Sequence, residues 1–283
     1  MCQVFANTEL DDPEYKQQFG IVTNRIPLTE IHGAIRPPEL ITEYENIIVT
    51  TNSMPLRDWR RSAIFSWVTM LLHSMKLGFF VLYYLKDRHT INCSEFISFI
   101  ADRGMSQSVG NILWGEIGEF EAQLDRLMQG HGRGCELPEF GKIYWDEEEA
   151  SFLRISNNLG LFYDEMLSLL REFMDHQGIV YDETELVEVV QYQQMRIPTH
   201  HGATTTERKF KFNVPEYFET CYRPDARPLV LEPQILTFRN PNDYQGDKHR
   251  YARETILWGR KSGTMLTDVE WHGNVKQLSS AIS

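Results

Sequence analysis

The sequence predicts a mainly α protein, a helical C-terminal domain over residues 51–283 preceded by a short β or extended portion over residues 1–50. Two observations carry that reading. From Leu56 onward, apolar residues recur three and four apart with charges between them, and several runs open on capping pairs. The first fifty residues lack this period and hold short apolar runs broken by Asn, Pro and Gly.

Taken in order, Cys2–Ala6 reads as a short buried strand. Leu10–Tyr15 reads as a turn leading into one helical turn, with Pro13 early in it, because proline is tolerated in the first turn. Residues 21–35 read as extended and irregular, and the β-branched run Asn46–Thr51 as a strand. The first fifty residues therefore amount to a strand plus loops, not a self-contained unit. A long apolar helix is expected from Leu56 to Asp87. Asn92 with Glu95 caps a short helix bearing Phe96, Ile97 and Ile100. Ile112, Leu113, Ile117, Phe120, Leu124 and Leu127 mark the next, which stops at Gly130-His131-Gly132-Arg133-Gly134. Asp146 with Glu149 and Asp182 with Glu185 cap two more, separated by a helix over Leu161–His176. Thr199–Glu207 reads as a polar loop, Phe210–Val214 and Val230–Phe238 as short strands or simply extended, and Tyr244–Arg260 as a last helix before Gly263.

The formal charge of −12 argues against nucleic acid and anionic membrane surfaces as partners, since both need a basic face. Residues 63–85 are apolar enough to test as a membrane span. They contain His73 and Lys76 near the middle, and a charge at bilayer centre costs roughly 3 kcal/mol. A buried core helix is expected instead, with no membrane anchor. Cys2, Cys93, Cys135 and Cys221 are too far apart in sequence to form a metal-binding cysteine pair. Scattered thiols and the lack of a secretory leader suit the cytoplasm.

Few local patterns carry chemistry. The Gly130–Gly134 run lacks the Lys-Ser/Thr of a phosphate loop and reads as a linker. His200-His201 reads as a solvated loop pair and His73 as a core histidine, so no metal site is expected. Asp146-Glu147-Glu148-Glu149 is what a helix N-terminus favours, and capping is the expected role. The locally basic stretch Arg239–Lys261 suits either anion docking or ordinary ion pairing.

Three sets of stretches, taken together, resemble the end of the barrel and the C-terminal region of cobalamin-binding radical SAM (S-adenosylmethionine) enzymes. They are Cys2–Asn7 with Asp12–Tyr15 and Phe19-Gly20-Ile21; Thr51-Asn52-Ser53-Met54 with Asp58-Trp59 and Phe65-Ser66-Trp67; and Phe140–Trp145 with Glu148–Arg154, Ala252-Arg253-Glu254 and Trp258–Gly263. Ala6 before Asn7, Pro55 at a helix entry and Ser262 depart from the family pattern.

The resemblance implies a complete enzyme that holds a 4Fe-4S cluster, S-adenosylmethionine and, in many members, cobalamin used for methyl transfer. The cluster cysteines and cobalamin segment lie upstream of the resembled region, so no catalytic residue transfers to this chain. A radical SAM barrel and cobalamin-binding portion, from another chain or from missing sequence, is the implied partner. The implied role is to close the barrel and shape the substrate pocket. On that basis Cys2–Ala6 is an edge strand needing a partner sheet. Asn7, at a strand's C-terminal end, is a substrate-facing candidate or an Asx-turn residue. Arg260 and Lys261 are candidates for anion or interdomain contact, and Trp59 and Trp67 are expected in the core. The rival expectation is a non-enzymatic helical protein-binding module.

Overall fold

Antiparallel pairing organises the start of the chain. A computed structural model describes residues 2–37, 39–103, 111–240, 242–259 and 266–274. Strands β1 (Gln3–Val4), β2 (Val22–Pro27) and β3 (Tyr44–Thr50) form a sheet of order β1-β3-β2, with Val4 opposite Asn46 and Asn24 opposite Ile47. This corrects two expectations. The opening strand has a partner within this chain, and residues 22–27 are regular strand. Local propensity missed both because the stabilising contacts are cross-strand and non-local. In β3, Ile47, Ile48 and Val49 are buried, and Ile26 of β2 joins Ile47 and Val49 in the same apolar cluster as the helices.

Between these strands lies α1 (Pro13–Phe19), whose start is capped by the Asp12 carboxylate accepting from Tyr15 N–H at 2.9 Å. Gly20 ends it in the left-handed region, at φ 59°. A Cβ there would also strike Asn52 Oδ1, so only glycine fits both the turn and its neighbour. Asn52 in turn donates from its backbone N–H to Phe19 O.

The long apolar helix expected over residues 56–87 is two helices. Helix α2 (Leu56–Thr69) passes into a π-helical turn over Met70–Ser74, and α3 (Phe79–His89) leaves at a bend of 94°. Lys76 sits at φ 65° in the break, a conformation that does not continue a right-handed helix. Pro55 caps α2 without a side-chain bond. Among the described residues no single helix is long and apolar enough to cross a membrane; the bent pair passes on length and composition only.

Helices α4 (Cys93–Ala101) and α5 (Asn111–Met128) follow, then the short strands β4 (Cys135–Glu136) and β5 (Tyr144–Trp145). Three further helices complete the body: α6 (Glu147–Ile155), α7 (Leu159–His176) and α8 (Glu183–Met195). The capping boxes at Asn92/Glu95 and Asp146/Glu149 are both present, and Asp182 caps α8 through Thr184 and Glu185 N–H. Aromatic packing ties the helices together. Phe173 of α7 meets Phe96 and Phe99 of α4 edge-on, with centroids 5.0 and 5.2 Å apart.

The remaining chain adds a second antiparallel sheet. Strand β6 (Thr204–Phe210), helix α9 (Val214–Thr220), strand β7 (Gln234–Asn240), helix α10 (Lys248–Ala252) with its π-helical extension Arg253–Trp258, and strand β8 (Asp268–Asn274) give the order β6-β7-β8. The expected loop over residues 199–207 is thus partly strand, paired along its whole length with β7. Roughly half of the molecule is helical, as the periodicity predicts.

Candidate functional site

A cavity of about 520 Å³ opens between the N-terminal sheet, α2 and the start of α6. Its apolar wall comes from Met54, Trp59, Trp67, Met70 and Phe120, with Ile48 and Cys2 at the sheet side. Along α2, Trp59, Ala63, Ser66 and Trp67, with Met70 just beyond its end, share one face at spacings of three, four and seven. Ser62, Ala63 and Ser66 are small, and small side chains between tryptophans leave the space unfilled. Trp67 stacks on Phe120 with centroids 5.4 Å apart and planes 13° from parallel. Both tryptophans lie in the core as expected, yet both also form this wall.

The opposite wall is acidic. Asp146, Glu147 and Glu148 bring their carboxylate oxygens within 4.8 Å of one another. A helix start fixes them in place. Asp146 caps α6 by accepting from Glu147 N–H at 3.2 Å, while Glu149 accepts from Asp146 N–H at 3.3 Å and meets His32 Nε2 at 2.6 Å. His32 is held by its backbone N–H, which donates to Tyr144 O at 2.7 Å. Glu147 accepts from Gly134 N–H at 3.2 Å.

Burial pushes the Glu147 carboxyl up to about 8, with hydrogen bonding and charge repulsion from Asp146 adding to the effect. The same burial, helped by Glu147, lifts the nearby Cys135 thiol to about 11, so that sulfur is protonated and unreactive at neutral pH. Arg133 also lines the cavity, but its guanidinium is held by Glu45 at 3.2 Å. Arg154, deeper along α6, is clamped to Glu116 by three hydrogen bonds of 2.6 to 3.1 Å. The arrangement places carboxylates, one of them holding a proton at pH 7, opposite aromatic and thioether groups.

Helix capping is therefore a true but incomplete account of residues 146–149. Sequence pattern identifies the cap and misses the site, because burial of Glu147 and Glu148 depends on α2 and the sheet packing over them. The available signal is the run of small residues on an otherwise tryptophan-rich face of α2.

The other candidates fall elsewhere. Asn7 sits in the turn after β1, exposed and at φ 61°, a conformation asparagine tolerates better than most residues. It does not line the cavity. Arg260 and Lys261 lie outside the described residues. The basic stretch before them is ion-paired: Arg239 with Glu270, Lys248 with Glu139 at 2.6 Å, and Arg250 with Glu254 at 2.8 Å.

Of the histidine expectations, the solvated reading holds for His201, which is exposed, and the other two fail. His200 is buried and its pKa is lowered by that burial, with repulsion from His201 and Lys248 adding to it, whereas His73 is exposed. The Gly130–Gly134 run is a connector that covers the β2 edge. A Cβ on Gly132 would lie 2.8 Å from Thr29 Oγ1 and 3.3 Å from Pro27 O, so the close approach needs glycine.

The four cysteines are free thiols, and among the described residues no three of them gather as the three-thiolate donor set of a 4Fe-4S cluster requires. Among the described residues, the grouping with metal-ligand geometry is the acidic one. A second cavity, about 350 Å³, lies between α8 and the β6–β7 sheet and is lined by Thr204, Thr206, Arg208 and Asn240. Compared with models of known protein families and with curated proteins, the chain finds no match.

Proposed function

We propose that this chain is the C-terminal portion of a cobalamin-binding-type radical SAM enzyme, not catalytic alone, whose helical body supplies one wall of a substrate pocket. The observation that carries the reading is convergence. Residues from the three sets of resembled stretches, far apart in sequence, meet at one cavity: Cys2 from the first, Met54, Trp59, Ser66 and Trp67 from the second, and Glu148 from the third. Phe19-Gly20 and Asn52, also resembled, touch one another. The cavity reaches the sheet at Cys2, next to β1, which has no second strand neighbour among the described residues. Phe5, directly after β1, is 65% exposed. An unpaired edge beside an open apolar cavity suits a missing barrel.

The cluster, S-adenosylmethionine and cobalamin then belong to the barrel-bearing polypeptide. Anaerobic co-expression of this chain with a radical SAM polypeptide carrying the three-cysteine motif tests this. Iron and sulfide are expected to purify with a stable complex, and none with this chain alone. Iron bound by this chain alone, or failure of every such polypeptide to associate, would overturn the reading.

The second reading, a non-enzymatic helical protein-binding module, is favoured by the continuous core running through the helical body, which needs no second chain for its packing. It expects a folded, monodisperse protein that ignores barrel polypeptides altogether.

A further inference from the structure

We infer that the second cavity, between α8 and the β6–β7 sheet, binds a small polyhydroxylated acid. Arg208 would hold its carboxylate or phosphate, and the threonine, glutamine and asparagine side chains around it the hydroxyl groups. This cavity shares no lining residue with the one between α2 and α6, and the inference does not rest on the enzyme reading.

Strand pairing puts the polar groups on one face. Thr204, Thr206 and Arg208 alternate along β6, and their partners on β7 are Asn240, Phe238 and Leu236. Residues two apart in a strand share a face of the sheet. Phe210, next in that series, is buried, as are Leu236 and Phe238, so one end of this face belongs to the core. The other end turns polar, at Thr206, Thr204 and Asn240. Helix α8 answers it with Gln191, Gln194 and Met195, which share a helical face at spacings of three and four. A sheet face against a helix is ordinarily closed by apolar side chains. Here amides and hydroxyls border a space of about 350 Å³ instead, which is the size of a small-molecule site.

Few of these groups bond within the protein. Among the described residues, the hydroxyls of Thr204 and Thr206, the side-chain amides of Gln191 and Gln194 and the Arg208 guanidinium meet no partner. Asn240, 6% exposed, donates from Nδ2 to Thr199 O at 3.2 Å, while its Oδ1 accepts from nothing. A buried acceptor without a donor is uncommon, and a guest hydroxyl supplies one. Charge fixes the sign of the guest. Arg208 lines the cavity, and among the described residues no carboxylate lines it. Arg239 on the neighbouring strand, by contrast, is paired with Glu270. The planar fork of a guanidinium matches the oxygens of a carboxylate or a phosphate. Phe238 and Met195 supply apolar surface for a carbon skeleton. The fitting guest therefore carries one anionic group and several hydroxyls.

Isothermal titration calorimetry on the full chain tests the proposal with matched probes. D-gluconate and D-glucose 6-phosphate each join a polyol to an anion; D-glucitol is gluconate with the carboxylate replaced by a hydroxymethyl group, and sodium sulfate is an anion without a polyol. At least one of the two polyol anions is expected to saturate at millimolar concentration or below, with glucitol and sulfate at least about tenfold weaker. The tighter polyol anion identifies the anionic group that the site takes. Arg208→Gln, at an exposed strand position, removes no ion pair among the described residues and should bring that anion down to the level of glucitol. No saturable heat from either polyol anion, glucitol binding as tightly as both, or anion binding unchanged in Arg208→Gln overturns the proposal. So does sulfate binding as tightly as the better polyol anion, which would leave an unspecific anion site. Calorimetry needs only this chain, so the iron test of the enzyme reading and this one can fail separately.

Discussion

The helical body and the N-terminal sheet have opposite deficits. In the body, most large apolar side chains are enclosed and carboxylates are buried with them: Glu147, Glu148, Glu149, Glu185 and Glu188 are all below 9% exposed. In the sheet and its loops, apolar side chains are left outside, with Phe5, Phe19, Val22, Leu28, Leu40, Ile41 and Tyr44 all exposed. A large exposed apolar patch marks a contact surface more often than an accident. Buried acids next to a cavity mark a place where charge is to be met. The body buries acids beside the cavity, and the sheet, which reaches that cavity at Cys2, leaves apolar side chains outside.

Four substitutions sharpen that contrast. Phe173→Ala removes a fully buried ring packed against Phe96 and Phe99. It should cost about 3–5 kcal/mol in urea unfolding at constant slope. A smaller loss would mean the body is packed more loosely than its contacts indicate.

Glu147→Gln addresses the buried acids. The native carboxyl holds its proton up to about pH 8, whereas the unfolded group releases it near 4.5. Between those values the native state binds the extra proton, so stability falls as pH rises through the window. The penalty is absent below the lower value and complete above the upper. The variant, which keeps an acceptor for Gly134 N–H, should flatten this slope and exceed the parent by about 2 kcal/mol above pH 8. Parallel stability profiles for the two proteins would show that Glu147 is not the strained group.

Asn92→Ala deletes a capping box far from the cavity, in which Ser94 N–H donates to Asn92 Oδ1 at 3.2 Å. About 1 kcal/mol of thermal stability should be lost, with no change in ligand binding. Phe5→Ser should change stability by no more than about 0.5 kcal/mol, because the ring is already in water. Its effect should instead be on association with a barrel polypeptide, read by analytical size exclusion. A large destabilisation would mean the sheet's apolar residues support the fold rather than a contact.

How much of this was legible in the residues follows the range of the interactions. Capping at Asn92, Asp146 and Asp182 is set within four residues, and the sequence shows it directly. The helical periods over Ile112–Leu127 and Leu161–His176 are local in the same sense. The split near Lys76 was not legible from periodicity, because Met75 and Leu77 are as buried as the helix residues on either side. The pairing of Gln3 with Ile47 spans too much chain for any local rule to propose it. The cavity was least legible. Its acids read correctly as a helix start, and only their distance from Trp59 and Trp67 in space turns a cap into a candidate site.

The barrel-edge claim is tested most directly by hydrogen–deuterium exchange over residues 2–7, alone and with a radical SAM polypeptide carrying the three-cysteine motif. In the isolated chain these amides should exchange far faster than those of β3, and addition of that polypeptide should slow them markedly. Amides at Gln3, Val4 and Phe5 as protected in isolation as those of Ile47 and Ile48, and unmoved by the partner, would contradict it.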